Sequence, residues 1–248
     1  MKYAIMTGDP RNDETAQMEV MDESGSTKIC NSKSKYPLKV SHATGVFTDN
    51  YIIVCGGGYP RTRACYTYAD DQQGWTKLAD MDTPRTASAS VSIDDGILVT
   101  GGYDGSNYRK TSEIVFLNGT VKQGKPLPEP RYGHCLVEYQ GQIISTGGAD
   151  GNGDRTSTVW SFNNHEEFTM TNKPSMKHRR AWHACGIVHS SLHDGRPLLV
   201  VAGAWTGLVG MDKSEYLDFT VPGSQWQSCS KSSIFLLKTL KLYGFDNV

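Results

Sequence analysis

Glycine doublets recur along this chain, and each one follows a short apolar run. The three clear copies are Gly56-Gly57, Gly101-Gly102 and Gly147-Gly148, and weaker copies stand at Gly8-Asp9 and Ala202-Gly203. The first residues of the five copies are spaced 48, 45, 46 and 55 residues apart. A repeat of about 45–50 residues indicates one supersecondary unit that recurs around a propeller or along an array. We expect the doublets to supply positive φ angles and close backbone approach where each strand ends.

A second pattern recurs in phase with the glycines and consists of a basic residue followed, three positions later, by His or Ser. The four basic residues are Lys39, Arg85, Arg131 and Arg180. Each opens a segment of small and β-branched residues, which a turn connects to the apolar strand before the doublet. A third strand and then a large ring follow, the ring being Trp75, Phe168 or Trp226. Each unit therefore predicts four short antiparallel strands, with Trp75 and Trp226 filling the space between neighbouring units.

The repeated sequence pattern resembles that of the kelch family of β-propellers. The resemblance rests on the doublets, on the Tyr/Phe-to-Trp spacing and on the pairs Pro84-Arg85 and Pro130-Arg131, and it covers about residues 4–227. It implies an all-β, kelch-type β-propeller of about five four-stranded blades in a single domain, 1–248. The expected units are about 1–36, 37–82, 83–128, 129–177 and 178–228, followed by 229–248 as a closing strand or divergent tail.

The two ends of the chain raise the question of closure. The first unit begins at its second strand, so we expect residues 234–240 to supply its missing first strand and to close the propeller. Closure would remove exposed strand edges. The alternatives are an amphipathic helix at this place, or a chain truncated from a six-bladed protein.

Composition excludes several classes of protein. The net charge of −1 gives no overall attraction to nucleic acid or anionic membranes. The N-terminal apolar stretch is too short for a signal peptide, so a cytoplasmic location is expected, with an extracellular one as the alternative if the N-terminus is incomplete.

The six cysteines are too sparse for a disulfide scaffold. Cys55 and Cys65 could pair in an oxidising compartment or could be buried thiols, and Asn118 begins a sequon that only a secreted chain would use.

Function is expected in the loops that share one face of the blades. These loops carry basic and aromatic residues of the types enriched at binding hot spots. The candidate partner-binding residues are Arg61, Arg63, Tyr103, Tyr108, Arg109, Arg155, Arg179 and Trp205. The arginines suit the carboxylates of an acidic peptide segment. The kelch resemblance implies a partner protein at this face, and a role as a substrate-recognition or scaffold subunit. It also implies that an adaptor role would need a separate BTB-domain partner or a missing segment, since this chain has no room for that domain.

The sequence gives less support to an enzymatic function. Residues 150–154 begin like a calcium loop but lack its later ligands, so a plain hairpin loop is expected. His183 recurs in the repeat with His42 and His134, which favours a structural hydrogen bond over metal ligation. The family alternative is a divergent galactose-oxidase-like or carbohydrate-binding propeller, but its ligands cannot be assigned to a local motif. We therefore expect no catalytic residue, cofactor or metal.

Overall fold

The computed structural model describes residues 3–6, 18–21, 27–29, 35–47, 51–69, 74–163, 171–190, 193–204 and 212–229. The chain divides into two compact units, Met1–Tyr132 and Gly133–Val248. That residues 1–248 form a single propeller domain stays a prediction. Within the described ranges, no helix has the length and apolar character needed to cross a membrane.

The first unit holds one three-stranded and two four-stranded sheets, in which strands follow chain order and pair antiparallel. The strands of the three-stranded sheet are β1 (Tyr3–Met6), β2 (Met18–Met21) and β3 (Thr27–Ile29). Those of the next sheet are β4 (Thr44–Phe47), β5 (Tyr51–Cys55), β6 (Ala64–Ala69) and β7 (Thr76–Asp80). The third comprises β8 (Ala89–Ile93), β9 (Gly96–Thr100), β10 (Ser112–Phe116) and β11 (Val121–Gly124).

The second unit holds two more four-stranded antiparallel sheets. The first contains β12 (Cys135–Tyr139), β13 (Gln142–Thr146), β14 (Val159–Asn163) and β15 (Thr171–Lys173). The second contains β16 (Ala184–Ser190), β17 (Arg196–Ala202), β18 (Ser214–Leu217) and β19 (Gln227–Ser228). The predicted all-β architecture of repeated four-stranded blades is confirmed.

Burial follows the character of each strand. The doublet strand β9 is buried along its whole length, whereas β8 alternates between buried and half-buried residues. In the first unit the apolar core joins residues of both four-stranded sheets, such as Ile53 and Val99. In the second unit Trp226 is 2% exposed, packs in the core with Val137 and Val159, and donates a hydrogen bond from Nε1 to the carbonyl of Pro174 at 2.7 Å. Each core therefore seals adjacent blades against one another.

The doublets stand where neighbouring blades touch. All six glycines (Gly56, Gly57, Gly101, Gly102, Gly147 and Gly148) have positive φ. Within the first unit, the N–H of Gly57 donates to the carbonyl of Arg85 at 2.7 Å and that of Gly102 donates to the carbonyl of Arg131 at 2.8 Å; within the second unit, the N–H of Gly148 donates to the carbonyl of Arg180 at 2.8 Å. A Cβ at Gly102 would lie 2.8 Å from the carbonyl oxygen of Thr86. Close backbone contact, with Thr86 of the same blade at Gly102 and with Arg180 of the next blade at Gly147, excludes a side chain at these positions.

The register of the first complete blade differs from the sequence expectation by one residue. Thr86 pairs with Tyr103 directly after one doublet, and the corresponding bond after the preceding doublet runs from Gly58 N–H to the carbonyl of Ser41. Val40, which is buried, therefore takes the position of the arginines, and Lys39 is exposed. The expected opener at Lys39 is wrong, because backbone pairing and not the recurrence of a basic residue sets the register. His42 is displaced in the same way and has a positive φ, as Ala87 does.

Two of the opening arginines form fully buried ion pairs inside their own blades. Arg85 donates through Nη2 and Nε to Glu113 Oε1 at 2.7 and 3.1 Å, and through Nη1 to the carbonyl of Gly101 at 2.8 Å. Glu113 also accepts the backbone N–H groups of Asp82 and Thr83. The pair thus fastens the chain entering the blade to the third strand and to the doublet.

Arg180 and Glu215 repeat this arrangement in the second unit. Arg180 Nη2 donates to Glu215 Oε1 at 2.6 Å, and Nη1 donates to the carbonyl of Gly203 at 2.7 Å. Burial alone would raise the pKa of Glu215. Hydrogen bonds from Arg180, the Lys177 N–H and His178 outweigh it and hold the pKa below its usual value. Glu215 therefore stays ionised as the partner of Arg180.

The other two complete blades lack this carboxylate. Strand pairing places Tyr66 of β6 and Trp160 of β14 at the position of Glu113 and Glu215. The buried guanidinium of Arg131 pairs instead with Glu129 Oε1 at 2.5 Å, a carboxylate 48% exposed. Two of the four blades therefore depend on other contacts at this point.

Two disulfide bonds link strands of the sheets. Cys55 and Cys65, whose pairing was open from sequence, are joined between neighbouring strands β5 and β6, with their Cα atoms 4.1 Å apart. Cys135 and Cys185 join the first strands of the two blades of the second unit. The sequence left the Cys55–Cys65 pairing open and did not indicate a bond between Cys135 and Cys185. In the first unit a hydrogen bond of 2.7 Å from Thr44 to Ser90 joins the first strands of its two complete blades.

Some expectations concern residues outside the described ranges. They include the Gly8-Asp9 copy of the doublet, the ring of Phe168, Trp205 and the proposed closing strand at residues 234–240.

We expect Glu113→Gln to lower the free energy of unfolding by about 3–5 kcal/mol, because it leaves the Arg85 guanidinium buried without a counter-charge. Urea denaturation, compared at equal m-value, measures the change. The matched control is Asp80→Asn, which removes the carboxylate of the Lys77–Asp80 pair, whose side chains are 53% and 34% exposed. The control should cost at most about 1 kcal/mol. An equal decrease in the free energy of unfolding in both variants would contradict the larger contribution assigned to the buried Arg85–Glu113 pair.

Gly102→Ala should destabilise the first unit more than Gly141→Ala destabilises the second. Both glycines have positive φ, so both alanines meet a backbone penalty of about 1–2 kcal/mol. Only Gly102 faces a neighbouring backbone, since a Cβ at Gly141 meets nothing within 4 Å. Thermal denaturation of the two variants separates close approach from backbone strain, and a similar loss in both would argue against the steric account.

Candidate partner-binding surface

Two loops of the first unit bring together most of its basic and aromatic candidates. One loop follows β5 and carries Tyr59 and Arg61, and the other follows β9 and carries Tyr103 and Tyr108. Both loops leave the second strand of their blade, so they lie at the same end of their sheets. We call the set Tyr59, Arg61, Tyr103, Tyr108 and Tyr132 the Tyr–Arg surface.

The loop after β9 is held in place by its own backbone and side chains. Tyr103 exchanges two backbone hydrogen bonds with Thr86, at 2.9 and 3.0 Å, and its hydroxyl donates to the carbonyl of Gly105 at 2.7 Å. Asp104 Oδ1 accepts the N–H groups of Ser106 and Asn107 at 2.8 and 2.7 Å. A loop fixed in this way loses little conformational freedom when a ligand binds.

Arg109 is already paired inside this loop. Its guanidinium contacts the carboxylate of Asp104. Burial acts to raise the pKa of Asp104, but the N–H groups of Asn107 and Ser106 and the Arg109 charge lower it overall. Asp104 therefore remains ionised and offsets the charge of Arg109. The sequence predicted that Arg109 would contact carboxylates of a partner. In the structure, the ion pair of Arg109 with Asp104 indicates that it stabilises the loop after β9.

Arg61 is held by aromatic rings. Its guanidinium carbon lies 4.9 Å from the centroid of Tyr59 and 4.9 Å from that of Tyr103. Its Nε is buried and has no hydrogen-bond partner among the described residues, and no ion pair within those ranges includes Arg61. Cation–π contacts position the charge without neutralising it. Arg61 is therefore a guanidinium held in place by two rings and without a carboxylate partner among the described residues.

The rings continue away from Arg61 as a short aromatic series. Tyr103 and Tyr108 lie with centroids 5.1 Å apart, and Tyr108 stacks on Tyr132 at 4.4 Å with an interplanar angle of 8°. Tyr59 is 75% exposed, a high value for a large ring. Tyr59 and Tyr132 were not among the predicted site residues, although both lie directly beside predicted motifs, at Tyr59-Pro60-Arg61 and Arg131-Tyr132.

The remaining candidates lie elsewhere. Arg63 is exposed at the end of the loop after β5, and Arg155 and Arg179 belong to the second unit, where Arg179 is exposed and Arg155 half-buried. Trp205 falls outside the described residues. The structure therefore brings together Arg61, Tyr103, Tyr108 and Arg109, and gives no reason to combine them with the candidates of the second unit.

The positions considered for metals serve the scaffold. Asp150 Oδ1 accepts the N–H groups of Asn152 and Asp154 at 2.8 and 3.0 Å, which closes its loop. His183 is buried, its Nε2 lies 2.8 Å from Thr146 Oγ1, and burial lowers its pKa to about 3. In the described part of the chain, no group of three or more His, Cys, Asp and Glu residues is arranged to hold a metal ion.

Parts of the chain are similar to several curated proteins. Spermatocyte protein spe-26 of Caenorhabditis elegans is 26% identical over 165 residues, which are 63% of this chain and 29% of that protein. Beta-scruin of Limulus polyphemus is 32% identical over 98 residues, 39% of this chain and 11% of that protein. Kelch-like protein 35 of Mus musculus is 25% identical over 124 residues, 50% of this chain and 22% of that protein. The alignments thus span less than a third of these relatives.

A solved structure supports the same fold. The structure of YjhT has a TM-score of 0.66 at 16% sequence identity, and the likeness covers 80% of this chain and 66% of that chain. No family model matches the chain. The relatives and the doublet-ended four-stranded sheets show that this chain is similar to kelch-repeat proteins, and the structural likeness supports the kelch-type β-propeller fold.

Proposed function

We propose that this protein is a non-enzymatic interaction module that binds a partner protein through the Tyr–Arg surface. Its kelch repeats indicate a protein-interaction module. The observation that carries the proposal is Arg61, a guanidinium fixed between two tyrosine rings and left without an ion pair among the described residues. A guanidinium held in this way can form an ion pair with a carboxylate of another molecule.

The partner segment that fits this surface is acidic. A guanidinium binds a carboxylate through two parallel hydrogen bonds, and the fixed orientation of Arg61 reduces the entropy lost in forming them. The acidic side chain of the loop after β9, Asp104, is already used by Arg109. Exposed Arg63 adds positive charge next to Arg61 in sequence. The surrounding tyrosines supply apolar area that can exclude water around the ion pair.

The binding surface suits a substrate-recognition or scaffold subunit. Its residues come from loops whose backbones are fixed by the blades, so partner contact needs no rearrangement of the sheets. We propose that the chain acts by holding a partner and not by chemical conversion of it.

Arg61→Ala should weaken binding of the partner by about 30-fold or more, the loss expected for a hot-spot side chain worth at least about 2 kcal/mol. The partner is first identified by affinity capture and mass spectrometry, and dissociation constants are then measured by isothermal titration calorimetry. Lys122→Ala is the matched control, since it also removes one positive charge but lies on the edge strand β11. Equal affinity of wild type and Arg61→Ala would refute the proposal.

Salt should weaken the wild-type complex more than the residual binding of Arg61→Ala. Raising the ionic strength toward about 1 M shortens the screening length to about 3 Å, which attenuates an ion pair at a surface. Arg61→Lys should give an intermediate affinity, because it keeps the charge but loses the planar fork. Identical salt dependence in wild type and Arg61→Ala would show that the partner does not present its carboxylates to Arg61.

A further inference from the structure

The β10–β11 hairpin presents the sequon Asn118-Gly119-Thr120 at its tip. Asn118 and Thr120 are exposed, and Gly119 between them has a φ of 83°. Asn118 Oδ1 accepts the N–H of Thr120 at 2.9 Å. That bond uses the oxygen of the side-chain amide and does not engage Nδ2, the atom to which a glycan attaches. It is the one Asn-x-Ser/Thr sequence in the chain, and the pattern is an acceptor when it stands on the surface of a secreted protein.

The disulfides are an independent observation on the same question. Cys55–Cys65 joins two strands of one blade, and Cys135–Cys185 joins strands of two blades. Four of the six cysteines are therefore paired, and Cys229 is a free thiol among the described residues. Disulfides of this structural kind form and persist in oxidising compartments and are rare where glutathione keeps thiols reduced.

The position of the sequon leaves the Tyr–Arg surface open. In the β9–β10 pair, Ser112 stands opposite Thr100 at the end that carries the loop with Tyr103, and Phe116 stands opposite Gly96 at the other end. Asn118 follows Phe116, so the strand length of about 15 Å separates it from the loop after β9. A glycan at Asn118 would project from the end of the blade opposite to the proposed partner site.

We propose that Asn118 is an N-glycosylation site and that the protein folds in an oxidising secretory compartment, where both disulfides close. In the modification, Asn118 Nδ2 forms one bond to the first sugar of a lipid-pyrophosphate-linked oligosaccharide. The sugar–phosphate bond breaks, the lipid pyrophosphate leaves, and the amide loses one proton. Each disulfide forms when two thiols give two electrons and two protons to a disulfide oxidant of that compartment. This assignment favours the extracellular alternative over the cytoplasmic location expected from the sequence.

The test uses the full chain isolated from the cells that produce it. Free thiols are alkylated in denaturant without reduction, so that buried cysteines are also exposed to the reagent. The protein is then treated with peptide N-glycosidase F, which converts a glycosylated asparagine to aspartate. We expect a shift in gel mobility, an aspartate at position 118 in peptide mass spectra, and no alkylation at Cys55, Cys65, Cys135 or Cys185. Asn118→Gln and Thr120→Ala should abolish the mobility shift, and Thr120→Ser, which preserves the sequon, should retain it.

Two results would overturn the proposal: an unmodified Asn118 in the isolated protein, or alkylation of the four cysteines before reduction. Neither bears on the interaction module, since partner binding is read from Arg61→Ala. Asn118→Gln should bind the partner as the wild type does, whereas Arg61→Ala should be glycosylated normally. Failure of one proposal is therefore distinguishable from failure of the other.

Discussion

One hydrogen bond between neighbouring blades organises the rest of this molecule. The N–H of Gly57 donates to the carbonyl of Arg85 at 2.7 Å and the N–H of Gly148 donates to that of Arg180 at 2.8 Å, and each of these arginines opens the next blade of the same unit. This bond requires two backbones in direct contact, which leaves no volume for a Cβ and places the glycines at positive φ. The strand must end there, and the loop that follows must turn outward. The spacing of the repeats thus reflects a contact that has to be made once per blade.

The same contact explains why the surface loops are ordered enough to bind. The residue after Gly102 is Tyr103, whose backbone is fixed to Thr86 by two hydrogen bonds. Arg61, a few residues after its own doublet, reaches the Tyr103 ring from the neighbouring blade. A side chain anchored to two blades in this way has few alternative conformations. The side chains of the proposed binding surface are therefore positioned by the blade contacts that the glycine doublets make.

The sequence predicted what depends on backbone geometry alone. Doublets after apolar runs indicated four-stranded blades because only glycine fits that contact, and the kelch resemblance followed from them. Lys39 was misassigned because a basic residue recurred near the expected place, whereas strand pairing puts Val40 there. The bond between Cys135 and Cys185 could not be foreseen, since it depends on which residues of two first strands face each other. The sequence could not show that Arg61 has no ion pair among the described residues, because every loop carries charged side chains. Only the structure shows that Asp104 forms its ion pair with Arg109.

In the first unit, the covalent link and the buried ion pair lie in different blades. The two blades with an internal Arg–Glu pair have no cysteine bridge within them, whereas the blade with Tyr66 at that position contains the Cys55–Cys65 bond. The Cys135–Cys185 bond, with a sequence separation of 50 residues, joins the first strand of the blade with Trp160 to the first strand of the blade that holds the Arg180–Glu215 pair. Closing a loop of that length lowers the conformational entropy of the unfolded chain, which stabilises the folded state by about 4 kcal/mol. That is close to the 3–5 kcal/mol at stake when a buried ion pair is broken. Within one repeated scaffold, a constraint on the denatured chain is therefore comparable in size to an attraction in the native one.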